Sequence, residues 1–431
     1  MNRIAYINAR LFDPANGLDE TGALLVEDGQ ISDLGASLFS GGIPQDMETV
    51  DSEGKLLTPG LIDMRVFTGE PGTEYRETLG SASQSAAAGG VTTIIVMPTT
   101  DPVIDDVALV DFVERRARDT AIVNVHPMAA LTRGCAGEQM TEIGLLKDAG
   151  AVAFTDGDRP LADPLVMRRA LSYAHFFDEL IVQHAEDRAL AAGGVMNEGE
   201  LASRLGLSGR PSAAETIMIE RDLRLVELTG ARYHVAQVTC KASVDVIRRA
   251  KQNGLPVTCG VSAPHLTLNE NDVASYRSFM KLSPPLRHED DRLAVVEGVA
   301  DGTIDVIVSG HDPQDPDAKR LPFAQAAYGA VGLETLLPAT LSLVHAGTLS
   351  LECAVKALTT GPASLLGLKS GRLTKGAPAD LALIDMNVPW VLDPENLKSK
   401  SKNTPYDERR LQGRAIRTIV GGKEVHVSGG K

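Results

Sequence analysis

The side chains of this chain whose types could act together are few: Asp156, His184 and His311, with Asp312 directly after the last. A carboxylate and two imidazoles are donors of the kind that hold a divalent cation, and a cation so held can polarise a carbonyl or acidify a water. Three such donors drawn from distant parts of the chain make a sparse set. Ser309 and Cys240 are candidate nucleophiles, but no G-x-S-x-G elbow surrounds the serine. Neither a base nor an orienting acid stands at a spacing that suggests a triad. The isolated histidines His126, His175, His265, His288, His345 and His426 are expected to be structural or surface groups.

The elements that must position these residues follow from the pattern of apolar runs. Eight β-branched runs are read as parallel strands: 61–67, 92–97, 122–129, 151–155, 180–184, 232–237, 256–261 and 304–309. Between them lie helix-length amphipathic stretches such as 74–88, 107–118, 213–228 and 242–253. Eight β/α units imply an α/β chain closed into a (β/α)8 TIM-type barrel over 58–367. At both ends the texture changes to short alternating strands, at 4–7, 23–26 and 31–34, then at 380–384 and 416–420. Neither end has strands enough to bury a core, so 1–57 and 368–431 are expected to share one small β-sandwich domain. The segment 396–409, rich in Lys, Ser and Asn, reads as a solvated loop or an assembly contact.

Composition narrows the function classes. At 431 residues the chain accommodates a barrel and a smaller unit, and a net charge of −15 spread along it argues against nucleic-acid and anionic-membrane partners. Four widely spaced cysteines with no CxxC suggest neither a zinc knuckle nor a disulfide framework, which fits a reducing cytoplasm. No apolar stretch reaches the roughly 20 residues needed to span a bilayer.

Three phrases in order, PGLIDMRVFTGEPGTEYRE at 59–77, AAAGGVTTIIVMPTTDP at 86–102 and PPLRHEDDR at 284–292 before DGTIDVIVSGHDPQ, make the chain resemble the dihydroorotase family of the amidohydrolase superfamily. AFTDGD at 153–158, VQHAED at 182–187 and YHVAQVT at 233–239 support the likeness. The resemblance implies a zinc centre at the C-terminal ends of the barrel strands and a role in pyrimidine biosynthesis. It also implies which residues should serve. The family's His-x-His on the first strand reads Arg65 and Phe67 here, the sixth-strand histidine is Gln237, and the aspartate of Thr-Asp-His is Gly310. Asp156 and His184 match metal ligands that the family retains. At the substrate pocket the family's arginine is Gly69, the asparagine of MPNT is Thr99, the asparagine before Pro-Pro-Leu-Arg is Ser283, and His311 is kept.

A guanidinium cannot ligate a metal, and phenylalanine and glycine have no donor to offer. The substitutions therefore imply a pseudoenzyme: Asp156 and His184 vestigial, no cofactor at full occupancy, and Arg65 replacing the lost metal charge beside Asp156. The resemblance further implies a structural partnership with aspartate transcarbamoylase, and a homo-oligomer is expected. Two other readings remain open: an active dihydroorotase or other cyclic amidohydrolase with an altered one-metal site, and a metal-free pocket that senses a small anion.

Overall fold

A computed structural model describes residues 3–45 and 47–429; the outermost residues of the expected small domain, 1, 2, 430 and 431, lie outside it. Leu61–Val66 pairs in parallel with Val91–Val96, and that strand with Asn124–Pro127. Ile181–Gln183, Tyr233–Val235, Val257–Ser262 and Val306–Val308 pair in the same sense and in chain order. Phe154 joins the two arcs on one side by bridging Ala129 and Ile181, and the Val66 to His311 bridge joins them on the other. The ring is thus closed, as a (β/α)8 barrel requires.

The fourth strand is shorter than the sequence suggests, reduced to the bridge residue Phe154. Main-chain bonds from Phe154 to Leu180 at 3.0 Å and from Thr155 to Ala129 at 3.0 Å still zip it to both neighbours. Inside the ring, Met64, Ile95, Met128, Ala153, Val182 and Val308 share one apolar cluster, nearly one residue from each strand. The first crossover helix also differs from expectation, because Thr78 caps it in reciprocal bonds with Ser81 and it runs only over Leu79–Ala88. Residues 74–77 consequently stay out of the helix and carry Arg76 and Glu77 to the barrel mouth.

The termini build the small β domain as one hydrogen-bonded ladder of eight strands. Leu56–Pro59 pairs antiparallel with Leu381–Ile384, which ties the two ends of the chain together. Tyr6, Leu11, Leu24, Ile31, Leu381 and Ile419 form its core. Among the described residues no helix is long and apolar enough to cross a membrane.

The segment 396–409 is not a solvated loop. Ser399, Asn403, Thr404 and Tyr406 are buried, and the segment runs as a strap against the barrel mouth. Composition misleads here because the polar groups have protein partners. Lys400 Nζ donates to the Glu74 carbonyl at 2.7 Å, Ser401 Oγ to the Arg76 carbonyl at 2.8 Å, and Arg409 pairs with Asp272 at 2.6 Å. Asn403 accepts from Gln314 N–H at 3.2 Å and donates to the Gly329 carbonyl at 3.1 Å. Asn403→Ala leaves both buried backbone groups unpaired, at about 1–3 kcal/mol each. Chemical denaturation should show that loss with an unchanged slope; an unaltered midpoint would mean that the strap does not hold the mouth.

Candidate functional site

Two cavities open at the C-terminal ends of the barrel strands, where such barrels place their sites. The inner chamber, about 70 Å³, is lined by Arg65, Gln237, Ser262, His265, Ser283 and Gly310 among others. The outer basin, about 440 Å³, is lined by Phe67, Gly69, Arg76, Thr99, Arg159 and Gln314 among others. Asp158, Asp312 and Tyr328 line both. A water occupies about 30 Å³ of liquid, so the chamber has room for about two, whereas only the basin reaches the roughly 300 Å³ typical of a small-molecule site.

Arg65 governs the chamber. It is 6% exposed, its guanidinium lies over the Phe67 ring at 4.9 Å, and its Nε is buried with no hydrogen-bond partner. Burial pulls its proton affinity down, while the carboxylates of Asp158, Asp312 and Asp63 act against that pull. The expected pairing with Asp156 is not made. Asp156 instead accepts Thr132 N–H at 2.8 Å on one oxygen and the Thr132 hydroxyl on the other. Burial raises its carboxyl and those two bonds draw it back, so its charge is settled by a loop and not by a guanidinium.

The retained histidines also part company. His184 is buried with neither ring nitrogen hydrogen-bonded, and its pKa falls to about 3 through desolvation, with Arg65 and Arg210 adding to the effect. It is a neutral imidazole at physiological pH. His311, expected at the substrate pocket, is fully buried. It lines neither cavity, its Nδ1 receives Gly332 N–H at 3.2 Å, and its Nε2 lies 3.5 Å from Glu77 Oε2. Burial alone would raise the Glu77 carboxyl, yet His311 and the hydroxyls of Ser399 and Ser81 bring it below its ordinary value. The pair therefore docks the strap.

These residues do not suit a zinc ion. Among the described residues no three of His, Cys, Asp and Glu stand close enough to share a cation. Both oxygens of Asp156 are committed to Thr132, and Arg65 brings a positive charge into the chamber. Gln237 lines the chamber with an unpaired buried Oε1, and Ser283 Oγ accepts Arg210 at 3.2 Å while Arg210 pairs with Glu186 at 2.9 Å.

The two glycines are built into the backbone. Gly69 has φ +120°, and a Cβ there would stand 2.4 Å from the Thr73 carbonyl oxygen, so no side chain at 69 fits the present turn. Gly310 has φ +67°, and a Cβ there would meet Ser262 Cβ at 3.1 Å. Thr99 lies in the basin with its methyl against Gly157, where an added Cβ would be only 2.5 Å away. Sequence reasoning passed over Arg76, Asp158, Arg159, Gln314 and Tyr328. Three of them, Arg76, Asp158 and Gln314, sit inside phrases that carry the resemblance, GTEYRE, AFTDGD and GHDPQ, and Arg159 directly follows one; the signal was a charged or amide group beside a recognised position. His265, expected to be structural, lines the chamber but bonds Ser262 Oγ at 2.6 Å and the Pro284 carbonyl at 3.0 Å.

Asp312 accepts Gln314 Nε2 at 2.8 Å, and its pKa rises from the ordinary 3.8 to about 6, through burial first and then the charge of Asp158. An acid whose folded pKa is raised loses stability as pH climbs from the unfolded to the folded value, and that loss is complete above about pH 6. Asp312→Asn should therefore be more stable than the parent at pH 7 by up to about 3 kcal/mol, and no more stable below the unfolded value of about 4. Equal differences at both pH values would place Asp312 in open water. Gly69→Arg, which puts back the family's arginine, should unfold more easily by about 1–3 kcal/mol at the strained φ alone. Stability equal to the parent would show that the turn yields.

Comparison with known proteins follows this geometry. The dihydro-orotase-like family profile matches residues 54–243 and the amidohydrolase family profile residues 317–426. A dihydroorotase of Wolbachia sp. subsp. Brugia malayi is 45% identical over 98% of this chain and 96% of its own length. One from Syntrophotalea carbinolica is 44% identical over 98% of each. Among solved structures, the L-hydantoinase of Arthrobacter aurescens is similar at a TM-score of 0.90 and 28% identity, covering 100% of this chain and 97% of its own.

Proposed function

The chain belongs to the dihydroorotase-like family of amidohydrolases, and from that membership and its substituted barrel mouth we propose a non-catalytic homologue that serves pyrimidine biosynthesis as a structural partner of aspartate transcarbamoylase. One observation carries the reading: the buried guanidinium of Arg65 stands in the chamber where the family places a metal. Ring opening of a cyclic amide needs an activated water, a proton for the leaving nitrogen and stabilisation of the developing oxyanion. In this family zinc supplies the acidified water and the electrophile. Here Arg65 holds a fixed charge, His184 is neutral without a partner to orient it, and Gly310 moves no proton.

Retention of the whole scaffold at this identity, with the mouth altered, fits selection on the outer surface. Apolar side chains exposed on the outer helices, Phe176 at 82%, Leu228 at 61% and Leu145 at 60%, are available to a partner surface. Such an assembly, with this chain itself oligomeric, belongs to the cytoplasm.

The assay is direct. Purified protein should neither open nor close dihydroorotate above background, and Gly310→Asp alone should not restore turnover, because Arg65 and Phe67 remain. Tagged chain should co-purify with aspartate transcarbamoylase, and cells lacking it should lose that enzyme's activity. Turnover by the parent protein would defeat the reading of the site, and full transcarbamoylase activity without this chain would defeat the partnership.

A further inference from the structure

The basin collects four charged side chains of both signs: Arg76, Arg159, Asp158 and Asp312. Among the described residues none of them is in an ion pair. Asp158 has no hydrogen bond either, Arg159 makes one of 3.3 Å to the Gly134 carbonyl, and Asp312 accepts only from Gln314. The Nε of Arg76 is buried with no partner. Oppositely charged groups that share a cavity without pairing leave both signs available to a ligand. Behind them the chamber adds two nearly inaccessible polar groups without partners, Arg65 Nε and Gln237 Oε1. An ordinary solvated rim lacks such orphans, because a buried unpaired donor or acceptor costs free energy that a bound partner recovers.

We propose that the basin binds a small zwitterion of the α-amino-acid class, its carboxylate held by Arg76 and Arg159 and its ammonium by Asp158 and Asp312. A simple dianion is disfavoured by the two aspartates, and a simple amine by the arginines. The volume of about 440 Å³ admits such a molecule with its waters, while the chamber of about 70 Å³ takes no more than the tip of a side chain or the waters it displaces. Gly69 stands where the resemblance implies a carboxylate-binding arginine, and Arg76 and Arg159 are the positive charges that line the same basin. The assignment rests on reading the mouth as metal-free.

Calorimetric titration of the full chain tests it with L-alanine, L-aspartate and L-glutamine, each alongside its N-acetyl and methyl-ester derivative. At least one free amino acid should bind, and loss of either charge should weaken it about tenfold or more. Asp312→Asn should erase the preference over the N-acetyl form, and Arg76→Gln the preference over the ester. Asp158→Asn and Arg159→Gln, at exposed positions, should reproduce the two effects in a fold that needs neither residue. Equal binding of free and N-acetyl forms, or no binding of any free form at about 10 mM, would overturn the proposal. Those results leave the non-catalytic reading intact, since only dihydroorotate turnover or a bound metal bears on it.

Discussion

A guanidinium stays protonated at any physiological pH, and Arg65 has placed one at the end of the first barrel strand, inside the protein. Most features of the mouth follow from that fixed charge. With Arg210 it adds to the depression that burial imposes on His184, it draws on Asp158, Asp312 and Asp63, and it rests on the Phe67 ring. A dication beside it would be repelled by the guanidinium. In the proposed non-catalytic reading the substitutions form a set: with the arginine in place, neither an imidazole at 237 nor a carboxylate at 310 has a metal to hold.

The remaining family residues have been taken up by the framework. Asp156 fastens the loop at Thr132, and His311 meets Glu77, which also receives Ser399 of the strap. A buried carboxylate needs hydrogen bonds, a counter-charge or a proton, and Asp156 and Glu77 both have hydrogen bonds. Gly69 and Gly310 record the same settlement in the backbone, at φ values that favour glycine.

The barrel was legible because parallel strands, buried on both faces, read as continuous β-branched runs, and the closing pairs appear where the eight runs predict. The terminal strands were legible from their alternation. Partners across space were not. Nothing in the spacing of Arg65 and Asp156 says that Thr132 reaches the carboxylate first, because a loop hydroxyl carries no periodic signal. The strap misled for a related reason: Lys, Ser and Asn look solvated until the carbonyls of Glu74 and Gly329 are known to face them. His311 matched a phrase, and the phrase did not say which way the ring turns.

The central claim is that Arg65 occupies the place of a metal. Elemental analysis of protein purified without added metal, repeated after dialysis against zinc and removal of the excess, tests it most directly. The account predicts zinc well below one equivalent per chain in both preparations. One or two tightly held equivalents would contradict it.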